Sequence, residues 1–224
     1  NIARALWFVS LPPPLGVLNI RLDRFIDADE TAFGFSTIKT TYGRGHTTCR
    51  IRYPFHYTRA EPKINVLMAI EAGSQTVPPF VDGIVMFPRR WLFISQSNCE
   101  QYMFGDFIDS ILNSIETAPA PGDVDDERCI IWDNLSLHKT AYVTNKIYGR
   151  PTNNRFISVD RPPYRPTMAP IEFIFCEVAS ELSRRVQEWW TIDDLRRNII
   201  QICSTIGRNG KFENTFVHCN YPYN

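Results

Sequence analysis

The run Cys129-Ile130-Ile131-Trp132-Asp133 sets four consecutive apolar residues against a closing carboxylate. An uninterrupted apolar run of this length reads as a strand covered on both faces, as in parallel or mixed sheets flanked by helices. It would deliver Asp133 at its C-terminal tip. Upstream, Phe104, Ile108, Ile111, Leu112 and Ile115 recur at helical spacing and predict an amphipathic helix over about 99–115. Between the two lies Thr117–Glu127, rich in Pro, Gly and Asp, which reads as a solvated loop. Downstream come a short helix over 139–147, a strand at Phe156–Val159 and a proline-rich turn, Arg161–Pro166. Pro170 suits the first turn of a further helix. Ile171, Ile174, Phe175, Val178, Leu182 and Val186 mark its inward face, and a last helix over 192–206 turns Ile192, Leu195, Ile199 and Ile202 inward. Before the central run, strands are predicted at Leu22–Asp29, Thr47–Tyr57, Lys63–Ile70 and Pro79–Phe87. Residues 1–19, interrupted by Pro12, Pro13 and Pro14, read as a connector. The order defines an α/β domain with a mixed sheet.

Composition narrows the function. Of 224 residues, 24 are Lys or Arg and 24 are Asp or Glu, so a formal net charge of zero excludes a polybasic grip on nucleic acid but not a local basic groove. The six cysteines include no closely spaced pair, which argues against a zinc knuckle or a redox pair and for a reducing compartment. Cys129 and Cys176 read as small buried hydrophobes. No apolar run approaches the roughly 18 residues of a spanning helix, and no membrane partner is expected. The chain begins at Asn1 and reads as a piece of a longer protein.

Three acids stand where strand tips and helix starts share one edge of an open sheet: Asp29 after the first strand, Asp133 after the central one, and Glu172 in the first turn behind Pro170. Each has an ordinary explanation as a turn former or a helix-dipole partner. Brought together, three carboxylates repel unless a cation compensates them, and hard oxygen donors select Mg²⁺ or Mn²⁺ over zinc.

The surrounding residues decide between these readings. Ile26-Asp27-Ala28-Asp29-Glu30-Thr31-Ala32-Phe33 with Tyr42-Gly43-Arg44-Gly45, then Trp132-Asp133-Asn134-Leu135-Ser136-Leu137-His138-Lys139, then Pro162-Pro163-Tyr164-Arg165-Pro166-Thr167-Met168-Ala169-Pro170-Ile171-Glu172, form three blocks. Together they resemble the DDE transposase catalytic domain of the mariner-like superfamily. The last block matches the family's pattern at seven of eleven positions in one ungapped run. The resemblance covers about residues 20–190. It implies an RNase H-like fold, a mixed five-stranded sheet flanked by helices; residues 191–224, outside the resemblance, read as a C-terminal helix and tail packed on the same domain. It also implies a metal-binding catalytic triad of Asp29, Asp133 and Glu172 holding two Mg²⁺ or Mn²⁺ ions. Such a domain cleaves and joins phosphodiesters of double-stranded DNA, at transposon ends and target, as a homodimer. The site of action would be the nucleus in a eukaryote, otherwise the cytoplasm or nucleoid.

Asp27 rivals Asp29 for the first place, since both side chains share one strand face; Glu30, directly after Asp29, matches the family's Asp-Glu. Leu135 and Ala169 depart from the pattern without removing a ligand. The helix-turn-helix modules that family members carry upstream have no room before Asp29, which leaves a second reading, a domesticated or decayed DNA-binding module. A related two-metal nuclease is a third. For DNA contacts, Arg44, Arg50, Arg52, His138, Lys139, Tyr164 and Arg165 are the candidates, by Arg–phosphate pairing and by nearness to the acids. His138 reads either as steadying a phosphate or a carboxylate or as a plain polar residue at a helix start. His46, His56 and His218 share no ligand spacing, Arg89-Arg90, Arg184-Arg185 and Arg196-Arg197 read as surface charge, and Trp189-Trp190 as a core plug.

Overall fold

A computed structural model describes residues 20–38, 62–72, 85–87, 90–117, 127–151, 156–162, 166–187, 190–206 and 211–221. The strands are β1 (Phe25–Gly34), β2 (Lys63–Glu71), β3 (Val85–Phe87), β4 (Arg90–Ser95), β5 (Arg128–Trp132) and β6 (Phe156–Asp160). The helices are α1 (Phe35–Ile38), α2 (Gln101–Thr117), α3 (Ala141–Tyr148), α4 (Pro170–Arg185), α5 (Ile192–Thr205) and α6 (Lys211–His218). Sheet order is β3-β4-β2-β1-β5-β6. Pairing is antiparallel on the β2 side of β1 and parallel among β1, β5 and β6. The expected mixed sheet flanked by helices is therefore present; β3 is the described end of the strand predicted at Pro79–Phe87, and the sheet has six strands among the described residues.

Each face of the sheet buries its own core. On one, Ile26, Ala28, Ile130 and Trp132 meet Phe104, Ile108, Ile111, Leu112 and Ile115 of α2 together with Val143 and Ile147 of α3. On the other, Phe25, Phe33, Cys129 and Ile131 meet Ile171, Ile174, Phe175, Val178 and Leu182 of α4, then Leu195, Ile199 and Ile202 of α5 and Phe212 and Phe216 of α6. All five residues predicted inward on α2 are buried, because a 3.6-residue period over 17 residues leaves little freedom in how the helix rolls. β5 is buried along its whole length. Among the described residues, no helix is long and apolar enough to cross a membrane.

Four expectations change. β1 begins after a 3₁₀ turn at Leu22–Arg24 and does not end at Asp29. It continues to Gly34, because the antiparallel ladder with β2 persists to Gly34↔Lys63 while the parallel ladder with β5 stops at Asp27↔Ile131. Asp29 thus lies where β1 loses its β5 neighbour, not at a strand end. β4 and α6 were not predicted, although Trp91-Leu92-Phe93-Ile94 and the i, i+4 pair Phe212 and Phe216 signal them. Cys176 is exposed, since it falls on the outer face of α4. Trp190 packs against the α4-side core as expected, whereas the strand at Thr47–Tyr57 and Trp189 lie outside the described residues.

Far from the β1–β5 opening, Arg128 at the start of β5 and Glu71 at the end of β2 form a fully buried ion pair, Nε to Oε1 at 2.9 Å. Breaking a buried pair by removing one partner costs about 3–5 kcal/mol. Glu71→Gln is expected to lose stability of that order in urea denaturation; a loss below about 1 kcal/mol would show that the pair contributes little.

Candidate active site

Three parallel strands set the geometry. The β1–β5 register pairs Asp27 with Ile131, and the β5–β6 register pairs Trp132 with Asp160. Carried one or two residues further, these registers bring Asp29, Asp133 and Arg161 level at the carboxyl edge of the parallel strands. The Arg161 N–H donates to the Trp132 carbonyl at 2.8 Å, which fixes the row on its β6 side.

Asp27 and Asp29 point to the α4 side, and both are buried. Asp27 Oδ2 accepts the Ile171 N–H at 2.9 Å. The helix has no side-chain cap of its own at Ala169, so a carboxylate from another strand satisfies an orphan N–H of its first turn and faces its positive end. This contact holds the first turn of α4, and with it Glu172, against β1. Glu172 itself is solvent-exposed.

Arg161 is the third member of this buried group. Its guanidinium pairs directly with Asp29 Oδ2, and its Nη1 lies 3.6 Å from Asp27 Oδ1. Asp29 Oδ1 accepts the Glu30 N–H at 2.8 Å. Burial pushes Asp27 up to about 7 and Asp29 up to about 6, against the opposing pull of Arg161 on both and of the Ile171 N–H on Asp27.

Asp133 belongs to a different group. Its Oδ1 accepts the Leu135 N–H at 3.0 Å and meets His138 Nδ1 at 2.9 Å, while His138 Nε2 lies 3.0 Å from Glu30 Oε2. The imidazole is completely buried and stacks on Phe104, with ring centroids 4.1 Å apart. Burial pulls its pKa down, but the hydrogen bond to Glu30 and the charges of Glu30, Asp133 and Asp29 outweigh it and the net direction is up. The imidazolium can donate to both carboxylates at once.

The site residues read from sequence therefore divide. Asp29 and Asp133 share an edge and a level but are held by different partners, Arg161 on the α4 side and His138 on the α2 side. Among the described residues, no three His, Cys, Asp or Glu side chains are grouped so as to hold a metal ion. His138 is placed as a partner of carboxylates, with no exposed surface of its own. Lys139 is half-exposed beside it, pairing with Asp160 at 2.9 Å and with Asn134. Arg44, Arg50, Arg52, Tyr164 and Arg165 lie outside the described residues. Sequence reasoning missed Arg161, although the strand-tip logic that selected Asp133 applies equally to the residue after β6.

A mixed sheet of this order, with acids at the open edge of its parallel strands, defines an α/β domain of the RNase H-like class. Within that class the chain has the fold of the Mos1 mariner transposase catalytic domain. A Mos1 transposase paired-end complex with the left transposon end superposes with a TM-score of 0.63 at 10% identity, over 88% of this chain and 52% of that one. A Mos1 mariner paired-end complex with Mn gives 0.62 at 10% identity, over 89% and 52%. The crystal structure of the Mos1 catalytic domain gives 0.55 at 10% identity, over 89% and 76%. The chain spans about half the length of the first two. No protein-family model and no curated protein matches its sequence.

The raised Asp27 and Asp29 pKa values fix the sign of a pH dependence. Groups that hold their protons more tightly when folded contribute stability that is complete below their ordinary value of 3.8 and is lost as pH rises through about 6 and 7. Urea midpoints should therefore fall between pH 4 and pH 8, and Asp27→Asn, which retains an acceptor for the Ile171 N–H, should flatten that fall. An unchanged slope in the variant would remove Asp27 as its source.

Proposed function

We propose that this chain is a transposase-type DDE endonuclease and strand-transferase domain, cutting and joining DNA phosphodiesters with two Mg²⁺ or Mn²⁺ ions. The observation that carries the reading is the level placement of Asp29 and Asp133 at the opening between β1 and β5, with Glu172 in the helical turn that Asp27 holds against the same strand. The similarity in fold to the Mos1 catalytic domain supports it.

The donor chemistry fits the ions: all three groups are hard oxygen ligands. Asp29 and Asp133 would hold the ions and Glu172 would complete one coordination sphere. Asp29 is preferred over Asp27, whose side chain is wholly buried and caps α4. When bound, such a pair of ions activates a water or a 3′-hydroxyl and stabilises the leaving oxygen. The chain's own residues supply position. β1 and β5 set the spacing of Asp29 and Asp133, His138 orients Asp133 through Nδ1, and the Ile171 N–H bond to Asp27 holds α4 at the site. Lys139, exposed on the same edge, would contact DNA phosphate, and Arg44, Arg50, Arg52, Tyr164 and Arg165 are proposed to extend that contact. The partners are double-stranded DNA, as transposon ends and target, and a second copy of the chain.

A second reading has one observation in its favour. Arg161 and His138 already compensate Asp29 and Asp133, as would suit a transposase-derived module that binds DNA without cutting it. Mn²⁺-dependent nicking of supercoiled plasmid, and joining of a 3′-hydroxyl oligonucleotide into it, separates the two. Under the catalytic reading, Asp133→Asn and Glu172→Gln each reduce both products to background while melting temperature is kept. Equal product from wild type and variants would refute it, and DNA retention without any product would select the binding module.

A further inference from the structure

We infer that Arg161 is a resident counter-cation that occupies the metal side of Asp29, so that a divalent ion and the guanidinium exclude each other there. The inference rests on the catalytic reading above and adds to it a residue that governs ion entry.

The group is unusual in its charge balance. Two carboxylates, Asp27 and Asp29, are buried side by side on one strand face, with a single guanidinium between them. Buried charges are tolerated when paired and hydrogen-bonded. This pairing is incomplete. Asp27 Oδ1 and Arg161 Nη1 are both fully buried and lack a hydrogen-bond partner, facing each other at 3.6 Å, beyond hydrogen-bonding distance. One buried acceptor and one buried donor are thus left without a hydrogen bond, while Asp29 Oδ2 is already held by Arg161.

A guanidinium and a divalent ion repel each other, strongly so in a buried setting, and both seek the one carboxylate of Asp29. Ion binding at Asp29 therefore requires the Arg161 side chain to leave Oδ2. Arg161 is a positioning residue in this account. It keeps β1's two acids folded in place while no ion is present and weakens ion binding by the work of its displacement. Asp29 and Asp133 are held by separate partners, each acid pairing with a protein cation on its own side of the sheet.

The test is Mn²⁺ titration of the whole chain, followed by the electron paramagnetic resonance signal of free Mn²⁺, with melting temperature recorded with and without the ion. Arg161→Gln is expected to bind Mn²⁺ about tenfold more tightly than wild type, within the range over which contacting groups couple. It should also melt lower than wild type without Mn²⁺ and regain the difference when Mn²⁺ is added. Arg161→Lys, which keeps the charge, should stay near the wild-type affinity. Should Arg161→Gln fail to melt cooperatively, the comparison moves to Asp27→Asn with and without Arg161→Gln, where one buried charge has been removed; tighter binding in the double variant supports the inference, and equal or weaker binding overturns it. Wild-type binding that is lost in Asp133→Asn but unchanged or weakened in Arg161→Gln overturns the counter-cation and leaves the catalytic reading standing. No Mn²⁺ binding in any of these proteins overturns both.

Discussion

Two carboxylates on one buried face of a central strand need positive charge beside them, and much of this structure is arranged around that need. Asp27 and Asp29 cannot be satisfied by water, because α4 and the core behind it cover them. What they receive instead comes from distant parts of the chain: a guanidinium from the residue after β6 and a backbone N–H from the first turn of α4. Each acid thus does structural work. Asp27 substitutes for the cap that Ala169 does not provide, and Asp29 anchors Arg161 beside the β5 tip. The acids and the elements that shelter them hold one another in place.

The opposite face of the sheet repeats the arrangement with a softer cation. There an imidazole, buried against Phe104 and close to Trp132, spans Glu30 and Asp133. Because side chains alternate along β1, Asp29 and Glu30 point to opposite layers, and the adjacent acid pair splits its charge between two cores. A loop Asp133 would be free to turn in solvent; here the Leu135 N–H and His138 restrict it. The edge at which β1 and β5 part is therefore held by the chain's own groups.

Much of this was legible in the residues. Cys129–Trp132 announced a buried central strand because four apolar side chains in succession suit no half-exposed position. Phe104 through Ile115 announced α2 because its period is helical. Asp133 was visible as the first polar residue after the run. β1 misled because its polar residues, Asp27, Asp29 and Glu30, resemble a strand ending, whereas they are tolerated inside the strand by partners 108 to 144 residues away. Arg161 was hidden for the same reason: in sequence it is the first residue of a proline-rich turn, and only the β5–β6 register shows that it stands level with the acids. Local pattern reports what a residue prefers; it does not report which remote charge makes an exception affordable. β4, by contrast, is readable in the apolar run Trp91–Ile94.

The sequence distances in this group also bear on how the molecule comes to exist. Asp29 finds Arg161 across 132 residues and Asp27 finds Ile171 across 144, while β1 and β2 pair across far shorter separations. Contacts of such long range close late, since loop entropy is spent before they give anything back. On a ribosome, β1 and β2 emerge and can pair while the acids still lack their cation and their helix. During that interval the acids stay hydrated, and they keep this strand face too polar to collapse onto the wrong apolar surface. Desolvation comes only when residues 161–171 arrive to complete the group, so the same charges that make the finished site costly to bury also protect the nascent strand.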